Sequence, residues 1–250
     1  MTVRKIAAAG ALLVALAAGC RGAWAVWPQV WFKGSQAHFE PGRFDRVSLS
    51  DAGEVALAPA PELVFEPAGE SFVWSLAESR AGELYAGTGP HGRVYRRSKG
   101  KWGLALETGD VAVTALAAAP DGSVYAGTIP SGRIFRIASG GFQAGPPIET
   151  GERYVWALRS LPDGALVAGT GARARVLRFD EPGAVPPEKP KVLLESQEDH
   201  ILCLLRWPDG ALLAGSGGHG LLYRIEPDGK TRVVFDAPQE EIRALAIDGD

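Results

Sequence analysis

At 250 residues the chain can form one large repeat domain or two ordinary ones. Its 29 acidic and 26 basic residues leave a formal charge of −3, which excludes the strongly basic surface that wrapping nucleic acid requires. Thirty-two glycines and eighteen prolines argue against a helical protein and for one that turns every few residues.

In chain order, the first element is a targeting segment. Arg4 and Lys5 form a basic start, and Ile6 to Gly19 run apolar or small without interruption. That run is short for a membrane span and is followed by two competing cleavage patterns. Leu16-Ala17-Ala18-Gly19-Cys20 resembles a bacterial lipobox, in which Cys20 would be acylated, and Ala23-Trp24-Ala25 fits ordinary signal peptidase. An uncleaved anchor is the third alternative. All three lead out of the cytoplasm, to the periplasm or cell envelope, with membrane contact only through a lipid anchor or the signal itself. The expected division is 1–25 as signal, 26–45 as an N-terminal segment and 46–250 as repeats. The other cysteine, Cys203, would have no disulfide partner, so packing must hold the fold together.

After a degenerate hairpin at 46–58, four segments align without a gap: 72–96, 112–136, 154–178 and 200–224. Their starts lie 40, 42 and 46 residues apart, and the length variation falls in the connectors 97–111, 137–153 and 179–199. Constrained hairpins with free connectors are the mark of structural repeats. Each unit reads strand, turn, strand, turn, strand. In the third unit, Val155-Trp156-Ala157-Leu158 precedes Pro162-Asp163-Gly164, a turn in which Pro presets φ, Asp caps its own backbone and Gly takes positive φ. A weaker fourth strand follows, as at 103–106 and 232–235. Helical periodicity is absent.

Four short antiparallel strands every forty-odd residues predict an all-β fold, a β-propeller of four-stranded antiparallel blades. The reading is four complete blades plus a partial blade at each end, as in a fragment of a larger propeller. A fifth unit begins at Glu241 and stops at Asp250, in register with the turn residues Asp121, Asp163 and Asp209. The alternative is a five-bladed ring in which strand 242–247 completes the blade begun by 46–66.

Two columns bear on packing. Ala-Gly recurs in the second strand at 86–87, 126–127, 168–169 and 214–215, and glycine inside a strand implies close approach by a neighbour. Ser75, Ala115, Ala157, Cys203 and Ala244 share one first-strand position. Small side chains are expected there because the first strand lies nearest the axis, which makes Cys203 a packing group and not a reactive thiol.

The phrase Leu84-Tyr-Ala-Gly-Thr followed by Gly92-Arg-Val-Tyr-Arg, with the Pro-Asp-Gly hairpin, resembles exported bacterial propellers related to the NHL and gluconolactonase-like groups. The resemblance covers 72–247 and implies an architecture, not a chemistry. Tryptophan–aspartate repeat signatures and sialidase-type aspartate boxes are missing, and the lactonases' metal-binding acids find no match. No site residue transfers.

From the residues themselves, the loops between strands four and one carry Glu70, Asp110, Glu152 and Glu198, and those between strands two and three carry His91, Arg173 and His219; His200 opens a first strand. These loops share one face, so the eight residues could form a polar rim binding a protein or a small polar ligand. The plainer alternative places the acids in solvated turns. Arg96, Arg136, Arg178 and Arg224 are expected to pair with turn acids, and Trp74, Trp156, Tyr85 and Tyr125 to belong to the core. Residues 180–191 read as a solvated proline-rich loop. No nucleophile elbow, Cys–His pair or metal-ligand spacing occurs, and no cofactor is expected. The function expected is a non-enzymatic exported scaffold, and the alternative is an exported hydrolase or lactonase with its site at the channel mouth.

Overall fold

The computed structural model describes residues 45–49, 54–58, 62–185 and 189–248. The targeting segment, Cys20 and Asp250 lie outside the described residues. The chain divides into two compact units, Met1–Val64 and Phe65–Asp250. In the first, β1 (Val47–Leu49) and β2 (Val55–Leu57) form the small antiparallel hairpin expected at 46–58.

The second unit contains four antiparallel sheets of four strands in a repeated order. Blade A comprises β3 (Phe72–Glu78), β4 (Leu84–Gly89), β5 (Arg93–Ser98) and β6 (Lys101–Glu107). Blade B comprises β7 (Ala112–Ala118), β8 (Val124–Ile129), β9 (Arg133–Ile137) and a two-residue β10 (Ile148–Glu149). Blade C holds β11 (Tyr154–Ser160), β12 (Leu166–Gly171), β13 (Arg175–Phe179) and β14 (Lys191–Glu195). Blade D holds β15 (His200–Arg206), β16 (Leu212–Gly217), β17 (Leu221–Ile225) and β18 (Thr231–Asp236). A single bridge, Gly171 to His200, links blades C and D. Among the described residues no helix is long and apolar enough to cross a membrane.

Each pair of successive blades encloses its own apolar layer. Tyr85 and Val94 of blade A meet Val113, Val124 and Phe135 of blade B. Tyr125 and Ile134 of B meet Val155, Leu166 and Phe179 of C. Val167 and Val176 of C meet Ile201, Leu204 and Leu212 of D.

The Ala-Gly column explains the spacing of these layers. Ser75, Ala115, Ala157 and Cys203 lie directly opposite Gly87, Gly127, Gly169 and Gly215 in the first ladder of each blade. Together each pair leaves a hole that the next blade's first strand fills. A Cβ on Gly87 would come within 2.7 Å of Val113 Cγ1, and one on Gly169 within 2.8 Å of Ile201 Cγ2. A Cβ on Gly215 would meet Ile242 Cγ2 at 2.7 Å. The small column is therefore small to admit a branched knob from the next blade, a more specific reason than proximity to the axis. Cys203 conforms: its buried thiol donates to Ile242 O at 3.2 Å, and burial pushes its pKa up to about 11.

The fifth unit starts in register. Glu241 bridges Gly217, and Ile242 N–H donates to Ser216 O. Residues 242–248 form no strand, whereas a strand was expected at 242–247. The other first strands are held by a full ladder to their own second strand, and 242–248 has none among the described residues. Among the described residues no such layer covers the outer face of blade A: Val73, the counterpart of the knobs, is 52% exposed.

Candidate functional site

The starts of the first strands, the ends of the second strands and the loops joining strands four to one share one edge of every blade. There the four connector acids meet the turn between strands two and three of their own blade. Glu70 accepts from His91 N–H at 3.3 Å, contacts His91 Nδ1 at 3.2 Å and pairs with Arg93 at 3.4 Å. Asp110 accepts from the Thr128 and Ser131 hydroxyls at 2.6 and 2.5 Å and pairs with Arg133 at 3.0 Å. Glu152 is held by Arg173 at 3.0 Å and Arg175 at 3.1 Å. Glu198 accepts from Ser216 Oγ at 3.0 Å and His219 N–H at 2.7 Å, with His219 Nδ1 at 2.9 Å.

Solvated turns are not what the structure shows: the four carboxylate side chains are 0, 3, 4 and 4% exposed. A buried carboxylate must be compensated by donors, and each of these is. Their blade partners His91, Arg173 and His219 stand in front of them, exposed to solvent. Burial pushes the Glu198 carboxyl up, but the His219 N–H, the His219 ring and the Ser216 hydroxyl together hold it below the usual range. His219 is raised, chiefly by its hydrogen bond to Glu198.

Two supporting columns lack any signal in a composition reading. Thr108 and Thr150, two residues before Asp110 and Glu152, each donate to a turn carbonyl (Gly92 O and Gly132 O) at 2.6 Å and accept the acid's own N–H at 3.1 Å. Ser196 accepts Glu198 N–H at 3.0 Å. The Thr of each Ala-Gly-Thr phrase is also structural: Thr88 and Thr170 donate across the turn to the carbonyls of Arg93 and Arg175, and Thr128, whose proton goes to Asp110, accepts Arg133 N–H at 3.3 Å. The legible motif is Ser/Thr-x-Asp/Glu before each of blades B to D.

His200 belongs to a different cluster. Its Nδ1 accepts from Trp156 Nε1 at 3.2 Å, and Tyr154, Trp156 and His200 have ring centroids 5.5–5.9 Å apart. Phe72 and Trp74 form a matching pair at 5.9 Å on blade A. Trp74 and Trp156 are not core residues as expected: Trp74 is 51% exposed and Trp156 only half-buried. Both occupy the point where the first ladder slips register, between Val73 and Ser75 and between Val155 and Ala157. A bulge turns its extra residue out of the alternation. Tyr85 and Tyr125 are buried, as expected.

The arginine column is paired as expected, at the opposite edge. Arg136 reaches Asp121 at 2.8 Å and Arg178 reaches Asp163 at 2.7 Å. Arg224 pairs with Asp209, and Arg96 with Glu83 at 2.5 Å, which replaces the turn Asp in blade A. In the proline-rich loop, Asp180 is held by Arg178 and Lys191. Among the described residues no group of three His, Cys, Asp or Glu is placed to hold a metal ion.

Repeated four-stranded blades stacked through their faces define the chain as a β-propeller. Solved structures agree on this. A selenomethionine-substituted virginiamycin B lyase from Staphylococcus aureus superimposes with a TM-score of 0.57 at 18% identity, over 77% of this chain and 63% of the lyase. The WD40 repeats of RRP9 give 0.59 at 15% identity, over 71% and 54%. A putative gluconolactonase gives 0.54 at 18% identity, over 78% and 71%. The chain thus spans less than two thirds of the lyase and of the WD40 structure. Enzymes and WD40 domains both occur among these neighbours, and at such identities the likeness concerns the fold alone. No protein-family model matches the chain, and no curated protein matches it.

Proposed function

We propose that this protein is a non-enzymatic propeller scaffold of the cell envelope whose rim binds a protein or a small polar ligand. One observation carries the reading: Glu70, Glu152 and Glu198 are buried behind His91, Arg173 and His219, Asp110 behind Ser131 and Arg133, and all four are spent on holding turns. A catalytic or ligating carboxylate needs a free lone pair facing the substrate. What this edge offers outward is a layer of hydrogen-bond donors beside two aromatic pairs, a combination suited to recognition. His200 contributes through the second aromatic cluster.

The test combines trapping and turnover. A photoreactive amino acid at Trp74 or His219, introduced into the full chain in intact cells, should give an adduct of one defined mass in the envelope fraction. The same probe at Lys99, on a turn at the other edge, should give none. Hydrolysis of a lactone or ester panel that Glu152→Gln abolishes while the fold is retained would overturn the proposal in favour of an enzyme. Cytoplasmic fractionation of the protein would overturn its envelope location.

A further inference from the structure

At the edge away from the rim, the ends of the first strands surround a wide-mouthed cavity of about 550 Å³ that draws on all four blades. Arg80, Arg159 and Arg206 line it with Glu78 and Ser160, and Ala118, Leu161 and Pro162 supply apolar wall. A second space of about 260 Å³ shares Glu78, Ala118, Arg159 and Ser160 with it and runs up between β3, β7 and β11. These volumes suit a small molecule.

The charges here behave unlike the arginine columns of strand three. The arginine columns on strand three all have carboxylate partners, but Arg80, Arg159 and Arg206 have no ion pair among the described residues. Arg159 makes one hydrogen bond, from Nη2 to Leu204 O at 3.2 Å. Its Nε is buried without a partner, as are those of Arg133, Arg136 and Arg175, and Ser160 Oγ beside it is the one buried hydroxyl in that state among the described residues. A buried donor left unsatisfied costs about 1–3 kcal/mol, and native structures rarely keep two adjacent ones without an occupant. Nor do the repeats call for them. The Arg159 position is Ala77 in blade A, Ala117 in B and Leu205 in D, and the Ser160 position is Glu78, Ala118 and Arg206.

We infer that this axial cavity is a binding site for a small organic anion. Its oxyanion head is received by Arg159, Arg206 and the Ser160 hydroxyl, and its apolar body lies against Ala118, Leu161 and Pro162. Three guanidiniums against one carboxylate leave the lining cationic, and a guanidinium's planar fork matches an oxyanion. The site is independent of the rim and stands whether or not the rim binds anything.

Calorimetric titration of the full chain with hexanoate, hexanamide and inorganic phosphate tests it. Hexanoate should bind saturably, hexanamide not at all, and phosphate more weakly than hexanoate. Arg159→Ala and Arg206→Glu should each weaken hexanoate about tenfold or more, and Arg97→Ala, at an arginine outside the cavity with no ion pair among the described residues, should not. Because Arg206 is exposed, its variant keeps the test alive if Arg159→Ala fails to fold. Absence of saturable hexanoate binding, equal binding of the amide, or unchanged affinity in Arg206→Glu would overturn the proposal. Phosphate binding as tightly as hexanoate would remove the apolar half of it.

Discussion

The two edges of the propeller treat charge differently. At the rim, buried carboxylates recur blade after blade, and each is closed by donors from its own turn. At the axial cavity, charged residues do not recur, the arginines have no carboxylate partner among the described residues, and a buried serine hydroxyl stays open. The difference teaches that a polar column repeated in every blade is architecture, because each blade must solve the same turn. A polar residue that breaks the column has no such duty, and it is there that a ligand has room to act.

Gly169→Ala should have the largest effect, since its Cβ would meet Ile201 Cγ2 at 2.8 Å and Ile201 O at 3.0 Å. A loss of about 3 kcal/mol is expected in urea denaturation. Gly103→Ala, with nothing within 4 Å, should lose almost nothing. Equal losses would break the idea that repeated glycines are holes for the next blade.

Glu152→Gln should come next. It weakens a buried carboxylate facing two arginines, for about 2 kcal/mol. Glu195→Gln, an exposed partner of the same Arg175, should cost far less, because solvent screens that pair. The contrast sharpens the distinction between a clasp and a surface ion pair.

Cys203 should react with a disulfide reagent at pH 8 only as fast as the protein opens, since its thiol is buried and its pKa raised to about 11. Rapid labelling of the native protein would place it outside the packing column.

The smallest effect is electrostatic. His219 titrates higher in the folded protein, so its contribution to stability is full below about pH 6.5 and fades as pH rises through the folded value. Glu198 titrates lower when folded, so its contribution is present above about pH 4.5 and is lost as pH falls through the folded value. The clasp is therefore strongest between these limits. Histidine NMR should show His219 above its ordinary pKa in the native protein and back near it in Glu198→Gln.

Much of the fold was legible because it is written four times. The Pro-Asp-Gly turns, the Ala-Gly column and the unit starts at 72, 112, 154 and 200 coincide with observed strands. What escaped depends on geometry that residue spacing does not encode. Alternation misplaced Trp74 and Trp156 because it cannot register a bulge. Burial of Glu70, Asp110, Glu152 and Glu198 ran against the ordinary habit of carboxylates, though Ser/Thr two residues upstream of three of them was a readable sign. The eight rim residues share one edge but divide into separate clasps and an aromatic cluster, which chain spacing cannot tell apart. Arg159 and Ser160 carry no signature at all, since lacking a partner is a property of the folded molecule.

The most direct measurement pairs two variants with two readouts: the urea midpoint and the hexanoate affinity of Glu152→Gln and Arg206→Glu. If repeated charges fasten and unrepeated ones bind, Glu152→Gln lowers the midpoint and leaves hexanoate affinity alone, while Arg206→Glu does the reverse. Loss of hexanoate binding in Glu152→Gln at unchanged stability, or a lowered midpoint with intact binding in Arg206→Glu, would contradict it.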